Sequence, residues 1–415
     1  MDIVKSIVPI FFGLSLMTGC NSSGDNIANT KITVSEVKPL VQQKNVYAST
    51  GIGNGNILFG GENGLSIINT SDSSNTQKLA STFNLPTFES ANELFKRVDG
   101  KELYKSNDGN ATQPEKSKIY SILQVDDGIL VGGSFASVNG VEKHNLVKLN
   151  LDGTVNDEFK SDVGGSVYKV IKNKDNLYVS GVIGSYNDKE AYSIVQLDLN
   201  GKMNESFLPL KEYMFAKIND IVMLDNEHIA LAGTFVKEAS ESDQNKTQEE
   251  LLNSTTTVLV VDRKGNINTT LSAKMSKIKN EVFALDVSDD RLYIAGDFDF
   301  TEDNQEYNNL VAFDLDGNFD KDFKIEKLHG MIFDIEVLEN KIIFGGDFLV
   351  DSDDSTRSFY VVNKSGETIK IDNFSTDADI YNINTYKGSI ILSGEGKFSI
   401  KDKNFENSII LNLND

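Results

Sequence analysis

The sequence predicts an all-β chain folded as a seven-bladed β-propeller closed by an N-terminal strand, and three observations carry that reading. A short apolar segment ending in glycine recurs seven times, an apolar-aromatic pair stands about ten residues before it, and a second apolar run ending in a glycine turn follows it. The apolar segments occupy residues 57–61, 129–133, 177–181, 229–233, 292–296, 342–346 and 390–394, and their final glycines are spaced 72, 48, 52, 63, 50 and 48 residues apart. That is the ~50-residue period of propeller blades once insertions are allowed at about 84–118 and 236–256.

Each blade then reads strand by strand. The innermost strand carries the pair Val46-Tyr47, Ile119-Tyr120, Val167-Tyr168, Val282-Phe283, Ile332-Phe333 or Ile380-Tyr381, with Ile218-Asn219 as the exception. The second strand is the apolar run, and its final glycine marks a place where neighbouring backbones approach too closely for a side chain. The third strand covers 146–150, 194–198, 258–262 or 310–314 and runs into Asp152-Gly153, Asn200-Gly201, Lys264-Gly265 or Asp316-Gly317, whose positive φ suits a tight hairpin. A weaker fourth strand ends in an aromatic, Phe159, Phe207 or Phe323, so four strands are expected per blade. Radial packing buries both faces of a blade, which accounts for strands one to three being nearly continuous apolar runs. The last repeat stops after its third strand, and residues 32–36 precede the first repeat as a lone strand. Pairing of the two ends is expected to shut the ring.

The segment ahead of this domain reads as an address. Residues 7–17 form an apolar run too short to span a bilayer as a helix and suited to a signal peptide. Met17-Thr18-Gly19-Cys20 resembles a bacterial lipobox, in which the cysteine becomes the first residue of the mature chain and carries the lipid. The alternative is an ordinary cleaved signal with an incidental cysteine; that Cys20 is the only cysteine in the chain favours lipidation. The expected organisation is a lipoprotein signal peptide at 1–19, a polar tether at 20–30 and the propeller at 31–415. Acyl chains contribute ~0.8 kcal/mol per buried CH₂, so membrane attachment through lipid needs no spanning segment. Asn21 after the cysteine implies, by the same resemblance, sorting to the outer membrane of a bacterial cell envelope. Gly133-Ser134-Phe135 with Asn139-Gly140, and Asn150, Asp152-Gly153, Asn156-Asp157 and Phe159, resemble the delta-60 type bacterial repeat, whose members form β-propellers of undefined activity.

Composition narrows the partners. Sixty-two Asp and Glu oppose 40 Lys and Arg for a net charge of -22, which repels a phosphate backbone and argues against nucleic acid. One cysteine, three histidines and no tryptophan leave no cysteine-based metal site and no disulfide framework, and neither cofactor nor metal is expected. The length, 415 residues, is ample for a core without a staple.

Function is expected on one face. Brief turns such as 126–128 and 316–317 mark a scaffold side, whereas long variable loops at 134–145, 182–193, 234–257, 297–309, 347–358 and 395–407 emerge on the other. Acid concentrates there: Asp299, Glu302, Asp303 and Glu306; Asp351, Asp353 and Asp354; Glu238, Glu241, Asp243, Glu249 and Glu250. These could serve calcium or a cationic partner, but solubility explains them more simply, and the Asp314 to Asp322 stretch reads as turn chemistry. Short helices are expected at 90–97 and 248–252. The repeated aromatics could ring a channel, although packing between blades is their more ordinary role. Beside them Lys169, Asp220, Asp334 and Asn382 are polar on inner strands and are the candidate ligand-binding groups. His144, His228 and His329 belong to different repeats, so no histidine-centred catalysis is expected. The reading is a monomeric binding or protein-interaction module for an unidentified protein or glycan; a hydrolase or lyase using acidic channel residues is the alternative.

Overall fold

The computed structural model describes residues 31–39, 45–53, 55–69, 83–90, 116–237, 255–288, 290–351, 353–372, 374–400 and 403–414. Cys20, the signal peptide, the tether, nearly all of the stretches read as short helices and most of both insertions lie outside them.

Strands dominate the described chain. After β1 (Lys31–Pro39), the first antiparallel meander is β2 (Val46–Gly51), β3 (Asn56–Gly61) and β4 (Gly64–Asn69). A short β5 (Phe88–Glu89) precedes β6 (Lys118–Val125), β7 (Gly128–Ser134), β8 (Ser137–Val138), β9 (Val141–Glu142) and β10 (Leu146–Leu149), of which β6, β7 and β10 form the second meander. The third is β11 (Val163–Asn173), β12 (Asn176–Tyr186) and β14 (Ile194–Asp198), with β13 (Lys189–Glu190) on the arm of β12. The fourth is β15 (Tyr213–Met223), β16 (His228–Lys237) and β17 (Thr256–Asp262), followed by helix α1 (Thr269–Lys274). The fifth is β18 (Glu281–Val287), β19 (Arg291–Glu302) and β20 (Gln305–Asp314), and the sixth β21 (Leu328–Leu338), β22 (Lys341–Val350) and β23 (Asp353–Asn363). Beyond β24 (Lys370–Asp372) and β25 (Phe374–Thr376) comes the last, β26 (Asp379–Tyr386), β27 (Ser389–Ile400) and β28 (Lys403–Asn414). There β1 lies antiparallel to β28, with Val34 opposite Leu413, and β24 adds to β1 in parallel.

One irregularity repeats in every meander. The register of the first strand slips by one residue against the second at Tyr47, Tyr120, Tyr168, Asn219, Phe283, Phe333 and Tyr381, so each is the unpaired residue of a β-bulge. The bulge explains the glycine. A Cβ on Gly133 would stand 2.1 Å from the Lys118 carbonyl oxygen, and one on Gly394 would stand 1.8 Å from that of Asp379, in each case two residues before the bulge. The close backbone is therefore the partner strand of the same meander. The residue before that glycine is small for another reason, since a Cβ at Gly60 or Gly345 would strike Ile119 or Ile380 of the next meander.

Three expectations need correction. The fourth segment is not a strand: it returns for single bridges such as Leu149 to Val155 and Phe313 to Phe319, then anchors itself by burying Phe159, Phe207 or Phe323. The innermost strands alternate in burial, as in β6 and β11, while the middle strands, with a strand on either side, are buried almost throughout. Several stretches read as loops are hairpin arms: β19 and β20 pair Phe300 with Tyr307, and Asp303 and Asn304 make the turn with φ of 49 and 61°. Helix α1 was not legible as a helix; Asn268 caps it by accepting from the Leu271 amide, and it fills the place of the fourth segment.

The first strands touch in the order β2, β6, β11, β15, β18, β21, β26 and back to β2. Apolar clusters lie between successive meanders, for example Ala48, Leu58 and Ile67 with Ile119, Val131 and Val147. Burying such side chains supplies about 1.5–3 kcal/mol each, the main cohesion of the sheet stack.

Candidate functional site

Six of the seven bulged residues meet. Tyr168, Tyr120, Tyr47, Tyr381, Phe333 and Phe283 form an unbroken chain of ring contacts, with centroids 5.2, 5.3, 5.4, 5.6 and 5.5 Å apart. Separation between equivalent side chains on radiating sheets grows with distance from the axis, so these contacts place the six rings at the inner edge of their sheets. The rings touch from one sheet to the next, and the residue before each bulge, Val46, Ile119, Val167, Ile218, Val282, Ile332 or Ile380, has no exposed surface. Asn219 is the one gap in the collar, its amide turned aside to donate to the Val282 carbonyl at 2.7 Å.

Directly after the collar residues, the strands place the four candidate groups in two pairs. Lys169 Nζ lies 2.8 Å from Asp220 Oδ1, and Asn382 Nδ2 donates to Asp334 Oδ2 at 3.1 Å. Asn382 Oδ1 accepts from Ser49 Oγ at 2.8 Å. The carboxylates also tie neighbouring sheets. Asp220 Oδ2 accepts from the Leu285 amide at 2.9 Å, Asp334 Oδ2 from Ile383 at 2.7 Å, and Ser121 Oγ from Val170 at 3.0 Å. It is one bond repeated, from the side chain after a bulge to the amide two residues past the next bulge.

Two members of this tier escaped the sequence reading. Asp286 and Glu336 sit three residues past their bulges; Asp286 Oδ2 accepts from the Val337 amide at 2.6 Å and Glu336 Oε1 from Thr385 Oγ1 at 3.0 Å. Their shared offset from the aromatic was the available signal. Burial pushes Asp334 up to about 7 against the pull of the Lys169 ammonium and the Ile383 amide. Glu336 reaches about 7 through burial and repulsion from Asp286 and Asp334, and burial lifts Asp286 to about 6. Burial also opposes the charge on Lys169, but Asp220, Asp334 and Asp286 outweigh it and hold its pKa above that of an ordinary lysine. The Lys169 side chain retains 39 % of its surface, so solvent wets it from the lumen.

A second carboxylate tier flanks the collar on the hairpin-arm side. Glu62 and Glu395 act on Tyr47, whose hydroxyl burial pushes up to about 12; Asp379 and Glu395 act likewise on Tyr381. Burial, then Asp347 and Glu395, raise the pKa of Asp379.

Elsewhere the acids have local partners. Glu302 pairs with Lys277 at 3.0 Å and Asp303 with Lys321, while Asp314 accepts from Asn318 within its turn. His144 lies 2.7 Å from Asp162, His228 2.9 Å from Asp225 and His329 2.8 Å from Asp351, each in a separate meander. Among the described residues no group of three or more His, Cys, Asp or Glu is arranged to hold a metal ion, and no helix is long and apolar enough to cross a membrane.

A family model described as a domain of unknown function (DUF5122) beta-propeller matches residues 125–159 and 288–323. The chain carries propeller repeats of this kind. The WD40 beta propeller domain of Doa1 is similar in structure at 12 % identity and a TM-score of 0.50, covering 93 % of this chain and 97 % of that one. BamB from Moraxella catarrhalis is similar at 11 % identity and a TM-score of 0.40, covering 92 % of this chain and 99 % of that one. No curated protein sequence matches. The fold is an all-β propeller, and such a fold suggests a binding or interaction module.

Proposed function

We infer that this chain is a seven-bladed propeller, closed by β1 on the outer edge of the last blade, and that it works as a lipid-anchored binding module on the bacterial cell envelope. The observation that carries the ring is the return of β26 onto β2, and with it Tyr381 onto Tyr47. The lumen and the hairpin arms around it form the working face, where rigid sheets hold variable segments. Lys169, Asp220, Asp334 and Asn382 are its lumen groups, and Cys20 is the lipidation site, with Asn21 directing the chain to the outer membrane. A monomer binding a protein or glycan through this face, without cofactor or metal, is the expected state.

A screen of envelope proteins, peptides and glycans tests the module. Binding that vanishes when the 134–145 arm is deleted, without turnover of any panel member, supports it; absence of any binding overturns it. Cys20→Ser should release the chain from the membrane fraction, and unchanged fractionation would refute the anchor. One observation favours a hydrolase or lyase instead, namely carboxyls poised near 7 at Asp334 and Glu336. Turnover lost in Asp334→Ala or Asp220→Ala would establish that reading.

A further inference from the structure

The aromatic collar has a geometry suited to one kind of guest. Six of the seven bulge positions carry rings, with neighbouring centroids 5.2 to 5.6 Å apart, and on a regular seven-fold circle of that spacing each centre lies about 6 Å from the axis, the outer limit at which a cation over a ring face is attracted by its quadrupole. A positive group displaced from the axis toward this wall of rings would come within that limit of the ring faces turned to it.

Charge on both sides reinforces this. Toward the hairpin arms stand Glu62, Asp347, Asp379 and Glu395; Lys116 binds Glu62 at 3.0 Å, Lys118 also acts on Glu62, and Arg357 acts on Asp379. On the inner side Asp220, Asp286, Asp334 and Glu336 share one lysine, Lys169, which Asp220 already engages. Burial raises the carboxyls of Asp379 and Glu336 first, and neighbouring carboxylates, Asp347 and Glu395 for the one and Asp286 and Asp334 for the other, add to it. The gap at Asn219 adjoins the Lys169–Asp220 pair, so the rings form their continuous wall on the side away from that ion pair.

We propose that the collar is a binding site for an alkylammonium group, entering from the hairpin-arm face. It rests on the closed seven-bladed ring and names the ligand chemistry of the same module. A methylated ammonium fits best: its spread charge is cheaply dehydrated and its methyl groups pack on the rings, whereas an anion meets carboxylates on both sides. A free amine and the side chain of a lysine in a partner polypeptide share this chemistry.

The test uses the whole chain and two probes of equal shape, choline and the neutral 3,3-dimethylbutanol. Choline should bind saturably, with its methyl resonance moved upfield by ring currents, and the alcohol at least tenfold more weakly. Tyr381→Phe should retain the preference and Phe333→Leu should weaken choline at least fivefold. Nα-acetyl-lysine methylamide binding in place of choline would assign the site to a lysine side chain. Equal binding of choline and the alcohol, or no upfield shift with either cation, overturns the proposal. If the envelope screen still finds an arm-dependent partner when both cations fail, the module stands and only the collar assignment falls. Cation binding without any partner in the screen has the opposite meaning.

Discussion

Ser393 and Ser408 stand opposite one another on β27 and β28, both fully buried, and neither hydroxyl has a hydrogen-bond partner. The positions equivalent to Ser393 in the other repeats hold Gly60, Gly132, Ser180, Ala232, Ala295 and Gly345, so five of the six do without an oxygen and only Ser180 uses one, donating to the Lys169 carbonyl at 3.5 Å. A buried unpaired hydroxyl costs about 1–3 kcal/mol, and Ser393→Ala should stabilise the fold by about 1 kcal/mol in thermal or urea unfolding. A melting temperature that stays or drops would mean the hydroxyl is satisfied. The lumen carboxyls set a pH dependence of definite sign. Asp286, Asp334 and Glu336 titrate near 6 to 7 in the fold against 3.8 to 4.5 for the free side chains, so between those limits the folded chain holds the extra protons. Their contribution is complete below about pH 4 and is lost as pH rises through 7. The melting temperature should fall from pH 5 to pH 8, and Glu336→Gln should flatten the slope; a slope unchanged by that variant would place the protons elsewhere.

At the scale of the strand, the bulge links the two most visible sequence signals. The aromatic is the extra residue, and the glycine yields to the carbonyl that the bulge pushes outward. Gly394→Ala would force a Cβ against the Asp379 oxygen and should cost about 3 kcal/mol, as overpacking against backbone does. Gly140→Ala meets nothing within 4 Å and pays only for its φ of +72°, about 1 kcal/mol, so chemical denaturation of the pair separates collision from strain. Strands two and three were readable because a buried strand is a run of apolar residues. The fourth segment was overread, since an aromatic at its end signals burial but supplies no hydrogen-bond ladder. The arms at 297–309 and 395–407 read as loops in the sequence, because polar residues on a solvated hairpin carry no apolar period.

For the molecule as a whole, cohesion between first and last sheets depends on contacts distant in sequence, Ser49 with Asn382 and Asn384 with the Ser49 carbonyl at 2.8 Å. On the outer side the same joint is made by β1 on β28. Removing residues 1–39 should lower the melting temperature and produce concentration-dependent association, because β28 would present a bare edge. Sedimentation showing an unaltered monomer with unaltered melting would refute a closing role for β1.

By itself the sequence determined the repeat period, the strand runs, the turn glycines and the polar positions beside each aromatic, because hairpins and bulges are local and their side-chain rules act over a few residues. Only the tertiary structure decided that Tyr47 meets Tyr381, that Lys169 meets Asp220 and that Asp286 and Glu336 join them. Those encounters exist only once the sheets stand side by side around an axis, and no spacing along the chain encodes which groups will then share it.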